Sequence, residues 1–326
     1  MRKIVYFVWL GVCFLASCDE KIAMQNQPFE TKPVIYCLID PNDTVHTIRI
    51  ERMFSGLQPP AVTAAVPDSI YFRDIRVSAS FTPVYSGTET SSILAQRVEI
   101  PDKEPGYFST QEHSVYQFSK IMKSEGRNLY SWVGIRVEVP GLEPVTAMTR
   151  IINSPVIYSP HQAQKFIYIV PDRPLLIQWT GGSWNEVDIR FEIMEMYADS
   201  VVTKILQFQK INDVQINGKY YEIKIPYDLV VQTISKNFQY RRDIIRRYFG
   251  KVSFSIHTGQ DEYAKYIEYQ DGINDFNQNP FSNIENAFGL LSSKSTVKMG
   301  PMDLDQDSRF AFANDPVLKK LSFIEY

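Results

Sequence analysis

Cysteine is scarce in this chain: its 326 residues hold three, Cys13, Cys18 and Cys37, too few for the disulfide framework of a small secreted scaffold. The four histidines, His46, His113, His161 and His257, stand far apart. None has a second histidine or a cysteine at metal-ligand spacing, which argues against a zinc centre. No Gly-x-Ser-x-Gly elbow, phosphate loop or dinucleotide fingerprint is present; Gly181-Gly182-Ser183 lacks the glycine that must follow the serine by two places. Charge of one sign is missing too. A formal net charge of -3 with no basic tail gives nucleic acid little to hold. The apolar run from Ile4 to Phe14 falls short of the roughly 18 residues that a membrane-spanning helix needs.

What that run does have is a basic start, Arg2 and Lys3, and a close in Leu15-Ala16-Ser17-Cys18. A short apolar core between basic and small residues reads as a secretory signal over residues 1–17. Leu-Ala-Ser-Cys resembles a bacterial lipobox, in which the Cys18 sulfur takes a diacylglycerol and becomes the first residue of the mature protein. Each buried methylene contributes about 0.8 kcal/mol and two or more chains anchor stably, so covalent lipid on Cys18 would hold the protein on a membrane with no spanning helix. Residues 18–30 then form a tether. Its acidic start, Asp19 and Glu20, is similar to the surface-export signal of Bacteroidetes lipoproteins, whereas aspartate beside the lipidated cysteine resembles an inner-membrane retention signal in enterobacteria. Loss of Arg2 and Lys3 takes the net charge to -5, and Cys37 is left as the lone thiol, so the fold must rest on its hydrophobic core.

Strand signals run through the rest. Val34 to Ile39, the turn Pro41-Asn42-Asp43-Thr44 and Thr47 to Phe54 predict a hairpin. On its second arm His46, Ile48, Ile50 and Arg52 alternate with Val45, Thr47, Arg49, Glu51 and Met53; neither face is purely apolar, which places that strand near a sheet edge. Val133, Ile135, Val137 and Val139 alternate cleanly with Trp132, Gly134, Arg136 and Glu138 until Pro140-Gly141, as a sandwich strand with one wet face requires. Between Ile152 and Pro160 the periodicity stops. The length of the chain favours two cores, so the boundary is set there, giving β-sandwiches over 31–153 and 154–326. In the second, Leu175 to Trp179, Gly181-Gly182 and the alternating Val187, Ile189, Phe191 and Ile193 resemble the early strands of an immunoglobulin or fibronectin-like sandwich. Lys219 to Ile225 adds a strand. Helices are expected at Leu229 to Lys236, capped by Asp228 with Leu229, Val230, Thr233 and Ile234 on one stripe, and from Asp261-Glu262 to Gly272. Both would plug a sandwich end or cap an edge.

Three features carry binding chemistry. Arg241, Arg242, Arg246 and Arg247 bring four guanidinium groups close together, fit to grip phosphate or carboxylate on lipopolysaccharide or a partner; the plainer alternative is an exposed face paired with Asp243. Asp303-x-Asp305-x-Asp307 has the alternation of a calcium loop, but Ser308 stands where glycine is needed and Asn314 where glutamate is, which leaves a solvated acidic loop as the alternative. Trp184, with Trp132, Tyr220 and Tyr221, could offer sugars a stacking platform, or could simply pack in the core.

The run Tyr263-Ala264-Lys265-Tyr266, then Asn279-Pro280-Phe281, then Asn283-Ile284-Glu285-Asn286-Ala287-Phe288-Gly289 is similar to the most recognisable segment of a Bacteroidetes lipoprotein family catalogued as domain of unknown function 4249. The first hairpin and Gly126 to Ala147 also fit that family; Ala287 departs from it, since glycine is usual there. Members commonly accompany TonB-dependent outer-membrane transporters. The resemblance therefore implies a cell-envelope role, and with no nucleophile-and-base motif in the chain the first expectation is a non-catalytic accessory or ligand-binding lipoprotein on the outer membrane, at its periplasmic face or on the cell surface. It supplies no catalytic residues. A structural or adhesive surface module docking through sheet edges is the second expectation and an envelope hydrolase the third.

Overall fold

The computed structural model describes residues 31–54, 59–86, 88, 91–101, 113–211, 215–217, 220–272 and 281–326, and strands dominate them. Residues 1–30, with Cys18, together with Lys219 and Asn279-Pro280, lie outside those residues. Among the described residues no helix is long and apolar enough to cross a membrane.

The first half follows its alternation. β1 (Pro33–Ile39) and β2 (Val45–Arg52) form the expected hairpin, with Ile35 opposite Ile50. Two short helices follow, α1 (Pro60–Ala64) and α2 (Pro67–Ile70), each with proline in its first turn, where the missing N–H costs nothing. Then come β3 (Arg76–Pro83), β4 (Ser91–Leu94), β5 (Gln96–Glu99), β6 (Ser114–Ser119), β7 (Lys123–Ser124), β8 (Arg127–Asn128), β9 (Tyr130–Glu138) and β10 (Val145–Arg150). On β9 Val133 and Val137 are fully buried, each contributing about 1.5–3 kcal/mol relative to exposure. β2 is not near an edge: it lies between β1 and β6. The sequence misleads because His46 is in phase with Ile48 and Ile50 and is buried with them, tilted on the Phe118 ring at 5.1 Å.

The second half holds β11 (Ile157–Ser159), β12 (Phe166–Ile167), β13 (Leu175–Trp179), β14 (Trp184–Met196), β15 (Val201–Ile211), β16 (Gln215–Asn217) and β17 (Tyr220–Ile225). α3 (Tyr227–Asn237), β18 (Arg246–Gly259), α4 (Asp261–Asp271), β19 (Phe288–Leu304), α5 (Gln306–Asn314) and α6 (Pro316–Lys319) complete it. Asp228 does not cap α3. Pro226 occupies the N-cap and Asp228 sits within the first turn, so the buried stripe is Tyr227, Val230, Val231 and Ile234 while Leu229 is exposed. α4 starts on Asp261 and Glu262 and ends at Gly272 as expected. It caps no edge. Tyr263 meets Trp184 edge-on at 4.9 Å and Tyr266 meets Tyr36 at 6.0 Å, so the helix lies across strands of both halves.

The largest sheet runs β15-β14-β18-β19-β1-β2-β6-β5, with β12 pairing the end of β19. Its centre is a change of partner. Phe288–Ser293 of β19 run parallel to β1, and from Lys294 to Asp303 the same strand runs antiparallel to β18. Two hydrophobic cores follow. One lies between β1, β2 and β6 and the sheet β10-β9-β3-β4; the other packs β14, β18 and the far end of β19 against β11-β13-β17-β16 and α3. The first draws mostly on residues 35–151 and the second on residues 157–323, yet the first core also takes Ile284, Ala287 and Leu291 from the carboxy-terminal segment.

Where β19 begins, Gly289 has φ 119°, and a Cβ there would stand 2.0 Å from the Ile35 carbonyl oxygen. Only glycine lets β1 come this close. In the preceding turn the left-handed residue is Asn286, φ 61°, whose amide donates to Pro144 O at 3.0 Å; Ala287 carries no such demand. Gly289→Ala should therefore cost about 3 kcal/mol or more in urea unfolding, through the clash with β1. Gly126 (φ 76°) has open space around its missing Cβ, so Gly126→Ala should lose only about 1–2 kcal/mol. Equal losses at both positions would remove the clash from the explanation.

Candidate functional site

The four arginines do not act as one cluster. β14 carries Val187, Ile189, Phe191 and Ile193 into the core, and Glu195 follows in phase on the same face. A carboxylate there needs a cation beside it. Arg247, opposite Glu195 in the ladder and 1% exposed, supplies one: its Nε and Nη2 each lie 2.8 Å from Glu195 Oε1. Nη1 donates to Leu321 O at 2.8 Å and Nη2 to Gln239 O at 3.0 Å, while the plane lies over the Phe238 ring. Tyr197 donates to the other Glu195 oxygen at 3.0 Å. One buried guanidinium thus ties β14, the segment after α3 and the carboxy-terminal residues together.

Arg241, Arg242 and Arg246 remain on the surface. Arg241 forms a two-pronged pair with Asp243, at 3.1 and 2.5 Å, and that pair holds the Asp243 carboxyl below its ordinary range. An exposed pair of this kind adds little stability, so Arg241 can exchange Asp243 for another carboxylate at small cost. A groove of about 460 Å³ opens here, between Lys204–Gln207 of β15 and the segment Asn237–Gln239, with Arg241 at its rim and the Arg247–Glu195 pair at its base.

Asp303, Asp305 and Asp307 do not converge. Asp303 pairs with Lys251 at 2.8 Å and Arg309 at 3.3 Å at the end of β19. Asp305 is the N-cap of α5, accepting from the Asp307 and Ser308 N–H groups and from the Ser308 hydroxyl. Asp307 is exposed in the first helical turn. The alternation thus marks a strand end followed by a helix start, and among the described residues no group of three or more metal-ligating side chains comes together.

The aromatic residues separate as well. Trp184 packs on Tyr263, Tyr221 stacks on the buried Trp179, Tyr220 meets Tyr158, and Trp132 is exposed on the outer face of β9, in a different sheet. They do not form one platform. All four histidines make hydrogen bonds: His46 with Lys120 O, His113 with the Tyr71 hydroxyl, His161 with the Ala163 N–H and His257 with the Thr296 hydroxyl. Burial lowers the pKa of His46. His257 also lies 3.5 Å from Asp188, giving a row Asp188–His257–Thr296 across β14, β18 and β19 that sequence spacing does not show. Cys37 is buried, and burial pushes its thiol up to about 12, so it is held as an unreactive thiol.

A second cavity of about 500 Å³ lies where the halves meet, lined by Ile152–Ser154, Gly181–Ser183 and Gln260. Nearby, Lys123 Nζ donates to Asn42 Oδ1 at 2.9 Å and to Ser154 Oγ at 2.5 Å, and Ser154 Oγ lies 3.0 Å from Ser295 Oγ. This network joins the first turn, the crossover between halves and β19.

Arg247→Met should cost about 3–5 kcal/mol in denaturant unfolding, because it strands Glu195 in a dry site. Arg247→Met with Glu195→Leu should recover most of that loss, whereas Arg242→Gln should change stability by no more than about 0.5 kcal/mol. A small loss from Arg247→Met alone would show that the pair is hydrated.

Compared with protein-family models and with curated proteins, the chain matches none.

Proposed function

We propose that this chain is an outer-membrane lipoprotein, anchored through lipid on Cys18, that serves a TonB-dependent transporter as a non-catalytic accessory or ligand-binding partner. On this reading it faces either the periplasm or the cell surface, belongs to the lipoprotein family that it resembles, and uses its two cores as β-sandwich domains joined by β19. The observation that carries the proposal is how its charged and polar groups are used. Arg247, Glu195, Asp303, Asp305 and the histidines are bound to neighbouring strands, helices or loops, while Arg241, Arg242, Arg246 and Lys204 stay at the surface, where a partner can reach them. The long apolar edge of β15 favours a second reading, a surface module that docks other envelope proteins.

The test is affinity purification of the full tagged chain after gentle detergent extraction of the envelope. An outer-membrane barrel protein should be recovered in stoichiometric amount, and Cys18→Ser should release the chain from the membrane fraction. Recovery of no barrel, together with hydrolysis of an envelope polymer that His257→Ala abolishes, would replace the accessory reading with an enzymatic one.

A further inference from the structure

The two ends of the largest sheet are finished differently. At one end β5 is four residues long and carries the Arg97–Glu99 pair, a short charged edge of the kind that discourages pairing. At the other, β15 is 11 residues long and pairs only with β14 among the described residues. Val201, Val202 and Ile205 are 47%, 38% and 53% exposed there.

The backbone of this edge is set out for a neighbour. The hairpin between β14 and β15 closes with the Tyr197 N–H donating to Ser200 O at 2.8 Å, so Tyr197 and Ser200 are a hydrogen-bonded pair. Such pairs alternate along an antiparallel ladder. Val202, Lys204 and Leu206 therefore bond to β14, and Val201, Thr203, Ile205 and Gln207 turn their N–H and C=O groups outward.

The surroundings are basic. Lys204 lines the groove beside the edge, Arg241 stands at its rim, and the ladder sets Val201 beside Met196 and Met196 beside Arg246, with Arg242 close by in sequence. The ladder also sets exposed Arg190 beside Gln207 and half-buried Glu192 beside Ile205, so these cations outnumber the carboxylates Asp199, Asp243 and Glu192 around the edge, on a chain whose net charge is -3. A second copy of the chain paired along this edge would set the two basic patches against each other.

We propose that the outer edge of β15 takes up an extended, acidic segment of a partner polypeptide by strand addition. Main-chain hydrogen bonds to Val201, Thr203, Ile205 and Gln207 supply affinity, and carboxylates in alternate positions reach Lys204 and Arg241 and supply selectivity. This holds whether or not the partner is a transporter, so it stands or falls separately from the accessory reading.

Fluorescence anisotropy on the full chain in detergent micelles tests it, with a labelled octapeptide alternating valine and glutamate as probe and the valine–lysine octapeptide as comparison. The glutamate peptide should bind about tenfold tighter, a preference that two exposed ion pairs supply and that added salt reduces. Lys204→Glu with Arg241→Glu should reverse the preference. Thr203→Pro removes an outward N–H without touching the β14 ladder and should weaken binding at least about tenfold with the circular dichroism spectrum unchanged. N-methylation of alternate peptide residues tests the same bonds without altering the protein. Equal binding of the two peptides, no binding of either, or affinity indifferent to both Thr203→Pro and N-methylation would overturn the proposal. So would sedimentation showing a dimer that Thr203→Pro dissolves.

Discussion

Everything in this fold depends on one strand serving two cores. β19 gives Phe288–Ser293 to β1 and Lys294–Asp303 to β18, so the pairing that completes the first core and the pairing that completes the second lie on one unbroken backbone. The change of partner needs room and leaves polar groups that want bonds. Gly289 supplies the room. Buried Ser293 and Ser295 meet much of the polar demand: Ser293 Oγ donates to Ile39 O and accepts from the Ile152 N–H, and Ser295 Oγ accepts from the Asn42 amide. α4 then lies over the junction with one tyrosine on each half. The aromatic run and the Asn283 to Gly289 turn that stand out in the sequence are thus the parts that hold the two cores together.

A second theme is polar residues placed in phase with apolar ones. Glu195 and Arg247 continue the buried faces of β14 and β18 beyond the last large apolar side chains, and His46 does the same on β2. In so dry a setting an unpaired charge is costly, so each is fixed by its partner. Arg247 converts this into long-range order by holding Leu321 and Gln239. The guanidinium that looked available to a ligand is a clasp, and on the proposed reading the neighbours it leaves at the surface take up the binding role.

Much of the fold was legible because period-two alternation is local. Val133 to Val139, Leu175 to Trp179 and Val187 to Ile193 announce their buried faces without any knowledge of their partners, and all are buried. The parallel pairing of Val34 with Phe288 has no such local sign, since nothing near either residue names the other. This is why the sequence around Ser154 carries no sign that one sheet runs across it. The edge placement of β2 fails because His46 is buried in phase with Ile48 and Ile50, and the Asp228 cap fails because Pro226 already fixes the helix start two residues earlier. At the candidate site, phase alone marks Glu195 and Arg247 as continuing buried faces, while their pairing depends on the register of β14 with β18. The groove and the outer edge of β15 could not be read in this way, because both depend on how strands distant in sequence are ordered in the sheet.

Native-state hydrogen exchange along β19 tests the shared strand most directly. If this strand holds both cores, the amides bonded to β1 and those bonded to β18 should open together at one free energy, that of global unfolding. Protection of the β18-paired amides that persists while the β1-paired amides exchange at much lower free energy would show two units that merely touch, and would contradict the account.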